Sequence, residues 1–127
     1  MANFKLTKAE KKLAELLWTN APIASMDMIK LAEEEIGWKK STTFFNLKTL
    51  IKKGIAQNLD SSVTMLYTRE QFISCQSQHY VEESFGGSLP KFIISFFGGK
   101  KLTPEQAKEL RKLIDENTIS FKTKKEI

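Results

Sequence analysis

Cysteine and histidine are the side chains most often used as nucleophiles, general bases and metal ligands, and the chain has one of each. Cys75 and His79 are four residues apart, so on a helix they would lie on one face. Two ligands make a poor zinc site, because structural zinc is held by four. The sequence contains no G-x-S-x-G, H-E-x-x-H or glycine-rich phosphate loop. We predict a protein that is not an enzyme, without catalytic residues, metal or cofactor, in which Cys75 and His79 are packing residues.

A run of lysines points to a different chemistry, the binding of phosphate. Residues 39–53 read KKSTTFFNLKTLIKK, with five lysines and no acid. The formal net charge of the whole chain is also +5, from 20 Lys and Arg against 15 Asp and Glu. Lysines that neutralise DNA phosphates release condensed counterions, which favours binding. A solvated helix face would carry the same run, so charge alone does not decide between these two interpretations.

The side chains between the lysines favour DNA. At about 100° per residue, a helix with Leu47 at the centre of its core face also turns Thr43, Leu50 and Ile51 inward. The opposite face then carries Ser41, Thr42, Phe45, Lys48, Thr49 and Lys52. An outward Phe45 is costly unless its ring meets a partner, and hydroxyls hydrogen-bond base edges or phosphates. The predicted DNA-binding residues of this segment are Lys39, Lys40, Ser41, Thr42, Phe44, Phe45, Lys48, Thr49 and Lys52.

The segments before and within this run predict three helices. A T-x-x-E capping box at Thr7 begins the first helix, and Pro22 lies just beyond its end. The second helix is predicted from Ser25 to Gly37, a residue type that commonly ends helices. The third covers about Ser41–Lys53 and is followed by a glycine. The lysine run therefore lies on the third helix of a small helical domain.

A β-hairpin is predicted directly after the third helix. Apolar and polar side chains alternate over residues 55–59 and again over 63–67, with Asp60-Ser61-Ser62 as the turn between them. The hydroxyls of Ser61 and Ser62 can bind phosphate, whereas Asp60 repels it. Three helices followed by a hairpin predict a winged helix-turn-helix domain over residues 1–68. We expect its hairpin, the wing, to contribute less affinity for DNA than the third helix.

The remaining residues predict further helices that pair two chains. About 50 residues in short helices bury few large side chains by themselves, and symmetric dimers are the commonest oligomers. We therefore predict a mainly α chain whose residues 69–117 form a helical dimerisation arm, with an intramolecular core as the alternative. The predicted interface residues are Tyr80, Leu89, Phe92, Ile93, Phe96, Phe97, Leu110, Leu113 and Ile114. Residues 118–127 are predicted to be a frayed basic tail.

The apolar segments are too short for a membrane protein. The longest apolar run, residues 92–97, is far below the ~20 residues that a spanning helix requires. The first residues contain no apolar stretch of the kind found in signal peptides. A single cysteine cannot form an internal disulfide. We therefore expect a soluble cytoplasmic protein.

Several short motifs follow one another in a distinctive order along residues 4–117. They are Leu6-Thr-Lys-Ala-Glu10 before Leu17-Trp18, Gly37-Trp38, Leu50-x-Lys-Lys-Gly54, Leu66-Tyr67, Phe85-Gly-Gly-Ser88, and Leu102-Thr-Pro-Glu105 before Leu110-x-x-Leu113. In this order they resemble the penicillinase repressor family. That family includes the methicillin-resistance and copper-responsive repressors of Gram-positive bacteria.

The resemblance implies a homodimeric transcriptional repressor that acts on double-stranded DNA. In the family, a winged helix reads each half of an inverted-repeat operator and the C-terminal helices intertwine. The resemblance also implies which residues face the DNA, namely Lys40, Ser41, Thr42, Phe44, Phe45 and Thr49. Basic, tyrosine or threonine side chains are more usual where Phe44 and Phe45 stand, so a different operator is expected. A winged-helix protein-interaction module without sequence-specific DNA binding is the alternative.

The family's routes of induction can be compared with this chain at two places. Repressors that control antibiotic resistance are cleaved at an Asn–Phe bond through a membrane sensor-protease pathway. Ser95-Phe96 lies at the matching position, with serine in place of asparagine. The copper-responsive branch uses a C-terminal Cys-x-Cys pair, which residues 121–127 lack. The resemblance thus implies Ser95-Phe96 as a possible cleavage site and gives no metal site.

Overall fold

The first helix is defined by the predicted capping box, which is confirmed. The computed structural model describes residues 1–119, and in it α1 spans Lys8–Asn20. The Thr7 hydroxyl accepts a hydrogen bond from the Glu10 amide at 3.1 Å, and the Glu10 carboxylate accepts one from the Thr7 amide at 2.8 Å. These bonds satisfy amide groups that the start of a helix leaves without partners. Glu10 is therefore fixed by the backbone before any tertiary contact is considered.

The second and third helices follow after short connections. α2 spans Ser25–Ile36 and ends at Gly37, which has a φ of 77°. α3 spans Lys40–Lys52. The three helices and the sheet enclose one core, and its largest fully buried side chains are Leu13, Leu17, Met28, Leu50, Ile55, Val63 and Thr43. The lysine-rich segment is thus a helix with one face in this core, as predicted.

The sheet has three antiparallel strands, one more than the predicted hairpin. β1 (Ile23–Ala24), β2 (Ala56–Leu59) and β3 (Ser62–Met65) are arranged in the order β1-β3-β2. Two residues are too few for a periodic pattern, which is why β1 could not be predicted. The Ser25 amide donates a hydrogen bond to the Ser61 carbonyl at 2.8 Å. The wing is therefore tied to the start of α2.

The wing turn is shorter than predicted. It consists of Asp60 and Ser61, with φ values of 51° and 64°, and Ser62 already belongs to β3. Two left-handed residues form the tight turn that matches the twist of a hairpin. The alternation predicted for residues 55–59 is not observed in the burial of the side chains, which falls steadily from the base of β2 to its tip. Ile55 is buried, whereas Leu59 is 62% exposed because it pairs with Ser62 at the tip, beyond the core.

The fourth helix, α4, spans Arg69–Phe85 and is anchored in the N-terminal core. Phe72 is buried, with its ring centroid 5.3 Å from that of Trp18 and 5.6 Å from that of Phe4. The Trp18 indole donates a hydrogen bond to the Tyr67 carbonyl at 2.9 Å. By its contacts the first compact unit runs from Met1 to Gly87, and so includes α4. The predicted functional boundary after residue 68 lies inside this unit.

Residues 2–5 form a strap between α3 and α4. The Asn3 amide donates to the Lys53 carbonyl at 2.8 Å, and the Gln76 side chain donates to the Phe4 carbonyl at 3.0 Å. A Cβ atom at Gly54, whose φ is 77°, would lie 3.3 Å from the Cα of Ala2. Glycine at this position lets the chain reverse and lets the strap approach the end of α3 closely.

A second compact unit begins at Ser88 and contains two helices in its described part. α5 spans Leu89–Phe97, and α6 spans Pro104–Glu116 after a capping box at Thr103. No residue of either helix is buried. Of the helices within residues 1–119, none combines the length and the apolar character that crossing a bilayer requires. The predicted frayed tail, from residue 120 onward, lies outside the described residues.

The architecture confirms the predicted fold class. The described chain is mainly helical with a small antiparallel sheet, in the element order of a winged helix-turn-helix domain followed by further helices. The third helix and the wing are the elements that such a domain uses to contact DNA.

Candidate nucleic-acid interface

The core face of α3 is rotated relative to the prediction. Thr43, Asn46, Leu47 and Leu50 are its buried residues, whereas Ile51 is 39% exposed. At about 100° per residue the other three buried positions lie to one side of Leu47. Leu47 therefore marks the edge of the core face and not its centre. The prediction of Ile51 in the core was wrong, and Asn46 was missed because an amide is seldom buried.

Hydrogen bonds make the buried polar residues of α3 tolerable. The Asn46 amide donates to the Thr42 carbonyl at 2.9 Å, and the Thr43 hydroxyl donates to the Lys39 carbonyl at 3.2 Å. Buried polar groups without partners would cost folding free energy. Both acceptors are backbone carbonyls of α3 or of its N-cap, so these buried side chains need no polar partner from another element.

The same rotation moves Thr49 away from the outward face. Thr49 is half-buried, and its hydroxyl donates to the Asn46 carbonyl at 2.9 Å. Its predicted outward position is therefore corrected, and its hydroxyl is engaged within the protein. The other five residues predicted outward are exposed together. We call this set the groove face: Ser41, Thr42, Phe45, Lys48 and Lys52.

The groove face is accessible and basic. The Phe45 side chain is 66% exposed. Within residues 1–119, neither Lys48 nor Lys52 forms an ion pair with an acid, and Lys39 and Lys40 at the start of α3 form none either. Four lysines of α3 and its cap are therefore available to bind anions. An ammonium group that is not engaged by a carboxylate can neutralise a phosphate without first breaking a contact.

Lys53, the fifth lysine of the run, is engaged inside the protein. Its Nζ atom lies 2.6 Å from Oε1 of Glu10 and donates to the Lys5 carbonyl at 2.7 Å. Glu10 is only 3% exposed. Burial raises the pKa of Glu10, but hydrogen bonds from the Lys53 ammonium and the Thr7 amide outweigh it and lower the pKa to about 2. Lys53 thus belongs to the structure of the domain and not to its charged surface.

The two neighbouring phenylalanines have different surroundings. Phe44 is 37% exposed, and the Lys40 ammonium lies 5.9 Å from its ring centroid. That distance is typical of a cation–π contact. Phe45 makes no ring contact with another aromatic side chain of the described part of the chain. Phe45 is therefore the more accessible of the two rings.

The wing tip has hydroxyls and no cation. Ser61 and Ser62 are both exposed, as the prediction requires. Asp60 precedes them, and residues 55–65 contain no lysine or arginine. The wing can therefore offer hydrogen bonds to phosphate but no charge attraction.

The residues predicted to pair two chains are mostly exposed. Tyr80 lies in α4, in the first unit, and its ring is 5.8 Å from that of Phe85. In the second unit Leu89, Phe96, Leu113 and Ile114 are exposed, and Phe92, Ile93, Phe97 and Leu110 are half-buried. Ile94, which was not predicted, is 71% exposed. It belongs to the same apolar run as Phe92, Ile93, Phe96 and Phe97, which were predicted. Ser95 and Phe96 lie in the last turn of α5, and both are exposed.

Cys75 and His79 lie together on α4. Cys75 is half-buried, and the His79 ring lies 5.8 Å from that of Phe4 and 3.6 Å from the Glu83 carboxylate. Within residues 1–119, no three histidine, cysteine or carboxylate side chains come together in a group that could hold a metal ion.

A winged helix whose third helix presents hydroxyls and free lysines is typical of DNA-binding transcriptional regulators. The model of the family described as penicillinase repressor matches residues 6–116, nearly the whole chain. The chain belongs to the penicillinase repressor family, and this membership indicates a transcriptional repressor. The comparison with curated proteins gave no match.

Proposed function

We propose that the chain is a homodimeric repressor that binds an inverted-repeat operator, with the α3 helix of each subunit in the major groove of one half-site. The groove face carries this proposal, since it combines an exposed aromatic ring, hydroxyls and free lysines on one side of α3. In helix-turn-helix proteins the corresponding helix lies in the major groove. A repressor bound there would block access of the transcription machinery to the promoter.

The side chains of the proposed interface are assigned to two kinds of contact, with phosphates and with base edges. Lys48 and Lys52, with Lys39 and Lys40 at the start of α3, are assigned to phosphates. The N-terminal amides of α3 add positive potential next to Lys39 and Lys40. Ser41 and Thr42 are assigned to base edges, because hydroxyls both donate and accept hydrogen bonds in the major groove. Ser61 and Ser62 of the wing are assigned to phosphate, and Asp60 weakens that contact.

The C-terminal helices are assigned to dimerisation. Ile94 and Phe96 are 71% and 73% exposed, and α5 and α6 contain no buried residue. Exposed apolar surface of this kind is typical of an interface. A second copy of the chain is the partner proposed, because a two-fold axis supplies two reading helices for the two halves of an inverted repeat. In this proposal residues 1–68 bind DNA and residues 69–117 join the subunits.

The test of DNA binding is a fluorescence anisotropy titration of a random DNA duplex at several salt concentrations. We expect binding at low salt and a linear fall of the logarithm of the affinity with the logarithm of the salt concentration. An absence of binding at low salt would contradict the proposal. It would favour a protein-interaction module, the second candidate, which is supported by Asp60 and the lack of cations on the wing.

Release of the repressor is assigned to cleavage of the Ser95–Phe96 bond by a protease under the control of a membrane sensor. Cleavage there would separate Phe96 and α6 from the rest of α5, and so remove part of the proposed interface. The test is mass spectrometry of the protein recovered from induced cells. Fragments that end at Ser95 support this route, and an intact chain in induced cells contradicts it.

A further inference from the structure

An exposed phenylalanine is an unusual component of a basic surface. Phe45 stands in the middle of the groove face, with Ser41 and Thr42 one turn before it and Lys48 one turn after it. Its 66% exposure places most of the ring in water, although the core of the same domain lies behind the helix. Contact with apolar surface on a partner would remove the ring from water, which is favourable.

Phe44 is less available than Phe45 for contact with a partner. The Lys40 ammonium lies over the Phe44 ring, and Phe44 is little more than half as exposed as Phe45. The two residues also point about 100° apart around the helix axis. Phe45 lies near the middle of the groove face, whereas Phe44 lies at its edge.

The major groove offers one apolar group among its base edges. Guanine, cytosine and adenine present hydrogen-bond donors and acceptors there, and thymine adds the methyl group on C5. We propose that Phe45 recognises the operator by packing its ring on the C5-methyl group of a thymine in each half-site. This inference rests on the proposed DNA-binding function and names one base that Phe45 would recognise.

The neighbours of Phe45 fit this arrangement. The hydroxyls of Ser41 and Thr42 lie on the same side of α3, one turn towards its start, and can bond to the base pairs next to the thymine. Lys48 lies one turn towards the end of α3 and has no acidic partner among residues 1–119, so it can reach a phosphate. The methyl contact would therefore lie between hydrogen bonds to bases and a contact to the backbone.

The experiment first selects an operator from a random duplex library, then replaces each thymine in turn with deoxyuridine. Deoxyuridine lacks only the methyl group, so base pairing and hydrogen-bonding groups are retained. We expect one position in each half-site where this replacement weakens binding about fourfold, which corresponds to the loss of one buried methyl group. Other thymines should tolerate the replacement.

Two variants connect the effect to the side chain. Phe45→Ala should bind the thymine and deoxyuridine operators equally. Ile51→Ala, a matched change at an apolar residue of α3 outside the groove face, should keep the fourfold difference. Circular dichroism should show both variants folded, because both side chains are exposed.

The outcomes separate the inference from the proposed function. If the unaltered protein binds no DNA, the proposed function fails. If it binds its operator but no deoxyuridine position weakens binding, the methyl contact is wrong and DNA binding stands. If the difference persists in Phe45→Ala, a residue other than Phe45 reads the methyl group.

Discussion

Glu10 and Lys53 form an ion pair that joins the first turn of α1 to the end of α3, with 2.6 Å between the carboxylate oxygen and the ammonium nitrogen. The Glu10 side chain is 4% exposed and that of Lys53 is 23% exposed. Glu10 also closes the capping box of α1. One carboxylate therefore sets both the start of α1 and the position of the helix proposed to read DNA.

Removing the charge of Glu10 should destabilise the domain. Glu10→Gln leaves the Lys53 ammonium without its carboxylate partner, and the loss of one member of a buried pair typically costs about 3 kcal/mol. Urea unfolding followed by circular dichroism measures the change. The matched control is Glu15→Gln, which removes the exposed pair with Arg69 and should cost less than about 1 kcal/mol. Equal effects of the two changes would contradict this role of Glu10.

The Glu10 carboxylate should make the free energy of unfolding depend on pH. The pKa of Glu10 is lowered from its usual 4.5 to about 2 in the folded protein. The unfolded chain therefore binds this proton more readily, and its uptake favours unfolding. The stabilisation should be complete above pH 4.5 and be lost as the pH falls from about 4.5 to about 2. Urea unfolding curves measured over this range should show that the free energy of unfolding depends less on pH in Glu10→Gln than in the unaltered protein.

The lysines of the groove face should control affinity without discriminating between sequences. Lys48→Ala and Lys52→Ala should each reduce the slope of the salt dependence by about one, if each lysine contacts one phosphate. Operator and random DNA should be weakened by the same factor. Lys12→Ala, an exposed lysine on α1, is the control and should leave the slope unchanged. Anisotropy titrations at four or more salt concentrations provide the slopes.

Thr42 should affect discrimination instead. Its side chain is exposed on the groove face, while its carbonyl is occupied by Asn46 within α3. Thr42→Ala should remove about 1 kcal/mol of preference for operator over random DNA, the value of one hydrogen bond. A competition gel-shift assay measures the ratio of the two affinities. A ratio that does not change would exclude Thr42 from base recognition.

The exposed side chains of α5 should determine the oligomeric state. Replacing Ile94 and Phe96 together with alanine should convert a dimer into a monomer, while the N-terminal unit stays folded because its core is separate. Analytical ultracentrifugation measures the mass, and thermal unfolding checks the fold. Glu109→Ala on α6 is the control. A dimer that survives the double replacement would show that the interface lies elsewhere.

Local sequence signals predicted the framework of the domain well. The capping box at Thr7 and the glycine after α2 act through bonds within a few residues, so their effect can be read directly from the order of residues. The period-two pattern located the wing for the same reason, although it did not give the length of the turn. The strand β1 contains two residues and exists only through its pairing with β3.

The details of the site depend on contacts that are distant in sequence. Charge counting included Lys53 in the basic run of residues 39–53, whereas its partner Glu10 is 43 residues away in sequence. Helical geometry gave the angular spacing of the side chains around α3, but not the rotation of α3 about its own axis relative to the core. That rotation decides the positions of Asn46, Thr49 and Ile51, and it is set by the shape of the other elements.

The strap of residues 2–5 connects two helices of the first compact unit. The Asn3 amide bonds to the end of α3, the Phe4 carbonyl accepts a bond from α4, and Lys5 forms an ion pair with Glu83 at 2.8 Å. The strap therefore links the end of α3 to α4. Opening the strap would let α3, the helix proposed to read DNA, and α4 tilt independently, so the strap couples the orientations of these two helices.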